Sequence, residues 1–209
     1  IARQFDEGDN FGDRRSIFYA RNACFDLAKK VGCKHFMQLD DDYTEFQCRI
    51  DRNLSAGYRL IKNIDGVLEA LIQFYEQIPA KAIAMAQGGD FLGSGGKPGK
   101  SAAWVKRKAM NTFICSTERP FSFMGRINED VNTYTTLGRR GELFLTIGAV
   151  QILQKQTQSN SGGMTELYLD GGTFVKSFYS VMYAPSCVKI GMMGSTHKRI
   201  HHRVSWNNT

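Results

Sequence analysis

Residues 35–42 read HFMQLDDD, a short apolar run that stops abruptly in three consecutive aspartates. Three adjacent carboxylates repel one another, and folding alone gains nothing by setting them at the end of a strand. The pattern predicts a buried strand that delivers acids at its C-terminal end, where open α/β sheets bind ligands. A hard divalent ion, Mg2+ or Mn2+, relieves the repulsion and leaves coordination positions for phosphate oxygens. In extended backbone Asp40 and Asp42 point the same way, so one can hold the ion and the other a sugar or ribose hydroxyl. The competing reading is an acidic, solvated turn.

The rest of the chain alternates helix and strand. Ile17, Ala20, Cys24, Leu27 and Ala28 carry a helical spacing over residues 16–30, with Lys29 and Lys30 at the end and Gly32 as a stop. Leu60, Ile61, Ile64, Val67, Leu68, Leu71, Ile72 and Tyr75 predict an amphipathic helix over 58–78, limited by Pro79. AIAMAQ and AMNTFICS read as strands, ELFLTI and AVQILQKQ as two more around Gly148, and CVKIGMM as a last one. Asn128 caps a helix opening with Glu129 and Asp130, and TFVKSFYSVMY is a helix preceded by Gly171 and Gly172. The expected class is α/β, a mixed sheet flanked by helices, with residues 1–209 as one domain. Residues 88–100, GGDFLGSGGKPGK, read as a mobile loop by composition.

No apolar run approaches the ~20 residues of a membrane span, and the polar opening IARQFDEGDNFGDRR does not read as a secretory leader. Five cysteines at irregular spacing give no zinc knuckle or disulfide framework. The net charge of +7 favours a polyanionic partner. Lys97, Lys100, Lys106, Arg107 and Lys108 form one basic stretch beside Trp104, suited to tracking phosphates and stacking a base. His197, Lys198, Arg199, His201, His202 and Arg203 form another; the alternative for both is a solvated basic surface.

The stretch SIFYARNACFDLAKKVGCKHFMQLDDDY, from Ser16 to Tyr43, resembles the GT-A glycosyltransferases, many of which carry an ARN helix, an apolar strand and then Asp-x-Asp. That likeness implies that Arg21, Asn22 and Arg14 lie near a nucleotide diphosphate, with Asp40, Asp41 and Arg199 in the same donor site. It implies Asp40 and Asp42 as ligands of Mn2+ or Mg2+, joined by a late histidine, His201 or His202, with His197 weaker. It also implies a general base in a later acidic pair at a helix start, Asp130 with Glu129 as runner-up. A GT-A domain opens with a strand–helix–strand nucleotide-binding unit; here that unit is expected to be reduced or to lie outside the chain.

Over roughly residues 14–206 the segments FMQLDDDY, KRKAMNTFICSTERPF, GRINEDVNTY, GGTFVKSFYSVM and HKRIHHRVSW look most like the TET-associated glycosyltransferases of phages and of eukaryotic lineages, the base J pathway included. The resemblance implies transfer, with inversion, from a UDP-sugar such as UDP-glucose to 5-hydroxymethylpyrimidine in DNA. It implies a functional link to a TET/JBP oxygenase or a hydroxymethylase, and an intracellular setting, either phage-infected host cytoplasm or nucleus. Two rival classes remain open on the residues alone: a metal-dependent nuclease or phosphotransferase, and a non-catalytic DNA-binding module on a transferase-like scaffold.

Overall fold

A computed structural model describes residues 15–50, 56–87, 103–104, 107–109, 112–155, 164–194 and 198–209. Helix α1 (Ile17–Lys30) is capped by Ser16, whose hydroxyl accepts from the Phe18 N–H and also donates to the Arg126 carbonyl. Strand β1 (His35–Gln38) follows, then β2 (Tyr43–Ile50), β3 (Ala56–Leu60), α2 (Ile64–Glu76), β4 (Ala80–Gln87), β5 (Ala103–Trp104) and β6 (Phe113–Ser116). The chain continues through α3 (Glu129–Gly138), β7 (Leu143–Gln154), α4 (Met164–Tyr183), β8 (Val188–Met193), β9 (Arg199–Val204) and a 3-10 turn at Trp206–Asn208.

The expected α/β architecture is present as a seven-stranded mixed sheet in the order β1-β6-β4-β7-β2-β3, with β5 pairing β7; β8 and β9 form a separate hairpin. Strands β4 and β7 are parallel, while β1–β6, β4–β6 and β2–β7 are antiparallel. Alternation along the central strands explains the layers. Ala82, Ala84, Phe113, Cys115 and Phe144 face one way and pack with Phe18 and Phe25 of α1 and Val131 and Tyr134 of α3. Ile83, Met85, Ile114, Leu145 and Ile147 face the other way against Leu71 and Tyr75 of α2. Arg119 seals the α2–β4 junction, donating to the carbonyls of Tyr75, Ile78 and Ala80.

Several local expectations change. Helix α2 starts at Ile64, because Leu60 ends a strand paired with β2 and the Asn63 side chain accepts from the Gly66 N–H as the cap. The two strands expected around Gly148 form one strand, β7, whose register against β4 shifts between Ile147 and Gln151. Helix α4 begins at Met164 and is interrupted at Gly172, whose φ of 64° and ψ of −178° break the helical run. Strand β1 is an edge strand with three of its four residues half-buried. All five cysteines are free thiols. Among the described residues, no helix is long and apolar enough to cross a membrane.

The loop before α3 turns on Gly125, at φ 83°. A Cβ there would stand 2.6 Å from Asn132 Nδ2, 2.8 Å from Tyr179 and 2.9 Å from Tyr183. Gly125→Ala combines a left-handed backbone with three clashes and should cost on the order of 3 kcal/mol. Urea denaturation checks this, and a loss below about 0.5 kcal/mol would show that the loop relaxes freely.

Candidate active site

Arg21 and Asn22 are both buried on α1. The Arg21 guanidinium donates from Nη2 to Asp40 Oδ1 and from Nε to Glu129 Oε1, each at 2.9 Å. It lies 5.6 Å from the ring centroids of both Phe113 and Phe123. Asn22 donates to the Phe123 carbonyl at 3.0 Å and accepts from the Phe123 N–H at 2.8 Å, which fixes the loop leading into α3. Gln38, the last residue of β1, donates to the Arg21 carbonyl at 3.1 Å. The adjacent Arg-Asn pair therefore joins the acidic strand end to the acidic helix start.

The triplet itself does not continue the strand. Beyond Gln38 the backbone leaves the sheet and turns at Asp41–Asp42, so strand alternation does not align Asp40 with Asp42 as expected. Asp40 turns to Arg21. Asp41 is exposed. Asp42 Oδ2 accepts from Gln154 Nε2 at 2.6 Å, and the Asp42 carbonyl accepts from the Lys155 N–H at 2.9 Å, at the C-terminal end of β7. Asp42 Oδ1 is buried with no hydrogen-bond partner.

At α3, Asn128 occupies the cap position, but its side chain makes no capping bond. Its backbone is left-handed, at φ 54°, a conformation asparagine tolerates better than most residues. The amide donates instead to the Lys176 carbonyl and the Ser180 hydroxyl of α4. Behind it, Glu129 is buried and Asp130 half-buried. Burial and the neighbouring Asp130 push the Glu129 carboxyl up to about 7, against the opposing pull of Arg21. The acids at the helix start are thus unequal: Glu129 is held in the Arg21 ion pair, while Asp130 is less enclosed and lies within the field of Arg21 and Lys176.

A cationic corner completes the site. Lys176 of α4, Arg199 of β9 and Lys108 lie close enough to act on one another electrostatically, and burial lowers the Lys176 ammonium pKa. His201 and His202 stack at 4.3 Å in the same corner. Burial, helped by His201, Lys108 and Lys176, holds His202 down at about 3, so its imidazole is neutral at physiological pH. Its Nδ1 is buried and has no hydrogen-bond partner. Among the described residues, no three His, Cys, Asp or Glu side chains gather into a metal-holding group. The acidic strand end and the histidine corner are therefore two separate features of the site. Arg14, Lys97, Lys100, Lys106 and His197 lie outside the described residues, and Trp104 is described only by its backbone in β5.

Sequence reasoning passed over Lys176, Ser180 and Gln154. Lys176 and Ser180 lie in the segment GGTFVKSFYSVM, where nothing local singles out either side chain, and Gln154 meets Asp42 only because β2 pairs with β7.

Two expectations follow. Arg21→Met leaves two carboxylates without their buried cation and should destabilise the fold by about 3–5 kcal/mol, read by chemical denaturation; a loss under 1 kcal/mol would show that the bridge is not needed. Glu129 also imposes a pH dependence. Its folded pKa lies above the unfolded carboxyl value, so its contribution is fully present below the unfolded pKa and is lost as pH rises toward about 7. Glu129→Gln should flatten stability over that window, and an unchanged slope would exclude Glu129 as its source.

No curated protein and no solved structure matches the chain. A family model described as TET-Associated Glycosyltransferase does match, over residues 8–163. With three quarters of its length inside that match, and with the sheet, acidic strand end and acidic helix start described above, the chain belongs to the TET-associated glycosyltransferase family.

Proposed function

We propose that this glycosyltransferase moves a sugar from a UDP-sugar, UDP-glucose in the first instance, to the hydroxyl of a 5-hydroxymethylpyrimidine in DNA, with inversion at the anomeric carbon. One observation carries this reading. Arg21 ties Asp40 to Glu129, so the acids suited to a donor phosphate cation and the acids suited to an acceptor hydroxyl share one buried clamp.

The residues at the strand end fit a hard cation. Asp42 Oδ1 is an oxygen donor buried without a protein partner, and Asp40 and the exposed Asp41 stand beside it in the chain. In this proposal Asp40 and Asp42 hold Mn2+ or Mg2+, which when bound neutralises charge on the departing diphosphate. The tail histidines, His201 and His202, do not join this acidic end; they stand in the cationic corner, with His202 a neutral imidazole. The surrounding Lys108, Lys176 and Arg199 suit the diphosphate itself. Asp130 takes the proton of the acceptor hydroxyl as that oxygen attacks C1 of the sugar and the C1–O bond to UDP breaks. Glu129, engaged by Arg21, orients this end of the helix and does not exchange the proton. The net positive charge of +7 supports a polyanionic acceptor.

A donor screen on hydroxymethylated DNA, read by nucleoside mass spectrometry, tests the whole reading. A mass gain of one hexose on the modified base is expected. DNA cleavage with Mg2+ and no sugar donor would replace the reading with a nuclease. Asp130→Asn should lower transfer by at least a hundredfold, in line with loss of a general base, while leaving UDP affinity within threefold. Loss of UDP affinity instead would remove Asp130 from the proton-transfer role. Asp42→Ala should abolish metal-dependent UDP binding in calorimetry, and binding at wild-type strength would refute the metal assignment.

A further inference from the structure

The start of β7, the end of α3 and the 3-10 turn border an open cavity of about 360 Å³, lined by Arg107, Tyr134, Gly138, Glu142, Phe144 and Trp206 among others. It lies away from the acids: Leu143 and Phe144 begin the strand whose other end, Gln154, holds Asp42. Its walls are aromatic and firm. Tyr134 and Trp206 stack at 5.6 Å with 28° between their rings. Tyr134 and Phe144 belong to the core, and Trp206 packs against it half-buried. Gly138 contributes no side chain, and a Cβ there would meet only Thr209, at 3.9 Å. The volume falls in the range of small-molecule sites.

The electrostatics around this cavity are positive. Arg107 lines it, and the next residue, Lys108, belongs to the cationic corner with Lys176, His201 and His202. Arg139 and Arg140, both exposed, lie in the chain between Gly138 and Gly141, which also line the cavity. Glu142, the acidic side chain among the described lining residues, is engaged by Lys81 at 3.6 Å. An aromatic wall with the Arg107 guanidinium beside it matches a flat heterocycle carrying a phosphate, because rings stack on aromatic side chains while arginine takes the anion.

We infer that this cavity is a nucleotide subsite separate from the acid-lined site, seating a base against Trp206, which Tyr134 backs from the core, with its phosphate toward Arg107. The inference does not require the acceptor reading above, since none of the cavity's lining residues has a role in that chemistry.

The chain has two tryptophans, so Trp104→Phe leaves Trp206 as the only one. In this full-length variant Trp206 fluorescence is titrated with thymidine monophosphate, UDP, oligo-dT and an abasic oligodeoxynucleotide of equal length. Saturable quenching by oligo-dT is expected, with the abasic strand at least tenfold weaker. Quenching by thymidine monophosphate at comparable affinity assigns the subsite to a free nucleotide; quenching by oligo-dT alone assigns it to a base within a strand. Anisotropy of labelled oligo-dT should show Trp206→Leu weakened on the order of tenfold, Trp206→Phe within threefold of the parent, and Arg107→Gln weakened about tenfold. The inference is overturned if the abasic strand binds as well as oligo-dT, or if Trp206→Leu and Arg107→Gln both bind at parental strength. Sugar transfer to hydroxymethylated DNA is followed on the same samples. Intact transfer without quenching removes the subsite alone, and quenching without transfer removes the transferase chemistry alone.

Discussion

A single guanidinium, buried between carboxylates from distant parts of the chain, organises the site. Taking Arg21, Asp40 and Glu129 out of water is costly, and their mutual attraction offsets that cost only when the geometry is good and the hydrogen bonds are made. Both bonds are 2.9 Å, and two phenylalanine rings lie beside the cation. The bridge therefore ties the end of β1 to the start of α3. Asn22, the next residue, adds two bonds to the Phe123 backbone, so the loop between β6 and α3 is held from the same helix turn. Only at the right separation of these two acidic ends could a donor and an acceptor meet between them, and here that separation is set by α1.

The same clamp explains why adjacent acids have different prospects. Glu129 is enclosed and already engaged, so it cannot receive a proton from an outside hydroxyl without first breaking its pair with Arg21. Asp130 is less buried and lies in the combined field of Arg21 and Lys176. A base has to be charged, reachable and held in place. Glu129 is held in place but already engaged, and Asp130 is the more reachable of the two, which is why Asp130 is the proposed base.

Much of this was legible in the amino-acid sequence, and the remainder was not for identifiable reasons. The apolar spacing from Ile17 and the serine before it specify α1 and its cap through local contacts alone. The acidic triplet was correctly placed at a strand end, but the turn at Asp41–Asp42 removed the alternation expected for it. Leu60 and Ile61 satisfy a helical stripe and a strand equally well, so the start of α2 rested on Asn63, a signal easily overlooked. Asn128 has the right chemistry for a cap, yet its amide serves α4, because Lys176 and Ser180 come to it only through tertiary packing. Arg21 could be read as part of a motif facing a diphosphate. Its role as a clamp depends on a glutamate 108 residues away, which no local pattern reveals.

The histidine corner shows how electrostatics can outweigh residue type. Two adjacent histidines in a basic tail read naturally as metal ligands, and a neutral imidazole is a competent one. Their neighbours, however, are Lys108, Lys176 and Arg199. Burial, together with His201, Lys108 and Lys176, keeps His202 neutral. The positive charges also oppose any second cation and attract a phosphate. A diphosphate would bring its negative charge to this corner, so the corner's preference is for the phosphates and not for the ion. The acidic strand end has the reverse preference, since Asp41 and Asp42 add negative charge where Arg21 has neutralised only part of it. Opposite fields on the two sides of one site are what a bound cation and its diphosphate would require, with the ion held toward the aspartates and the phosphates toward the lysines.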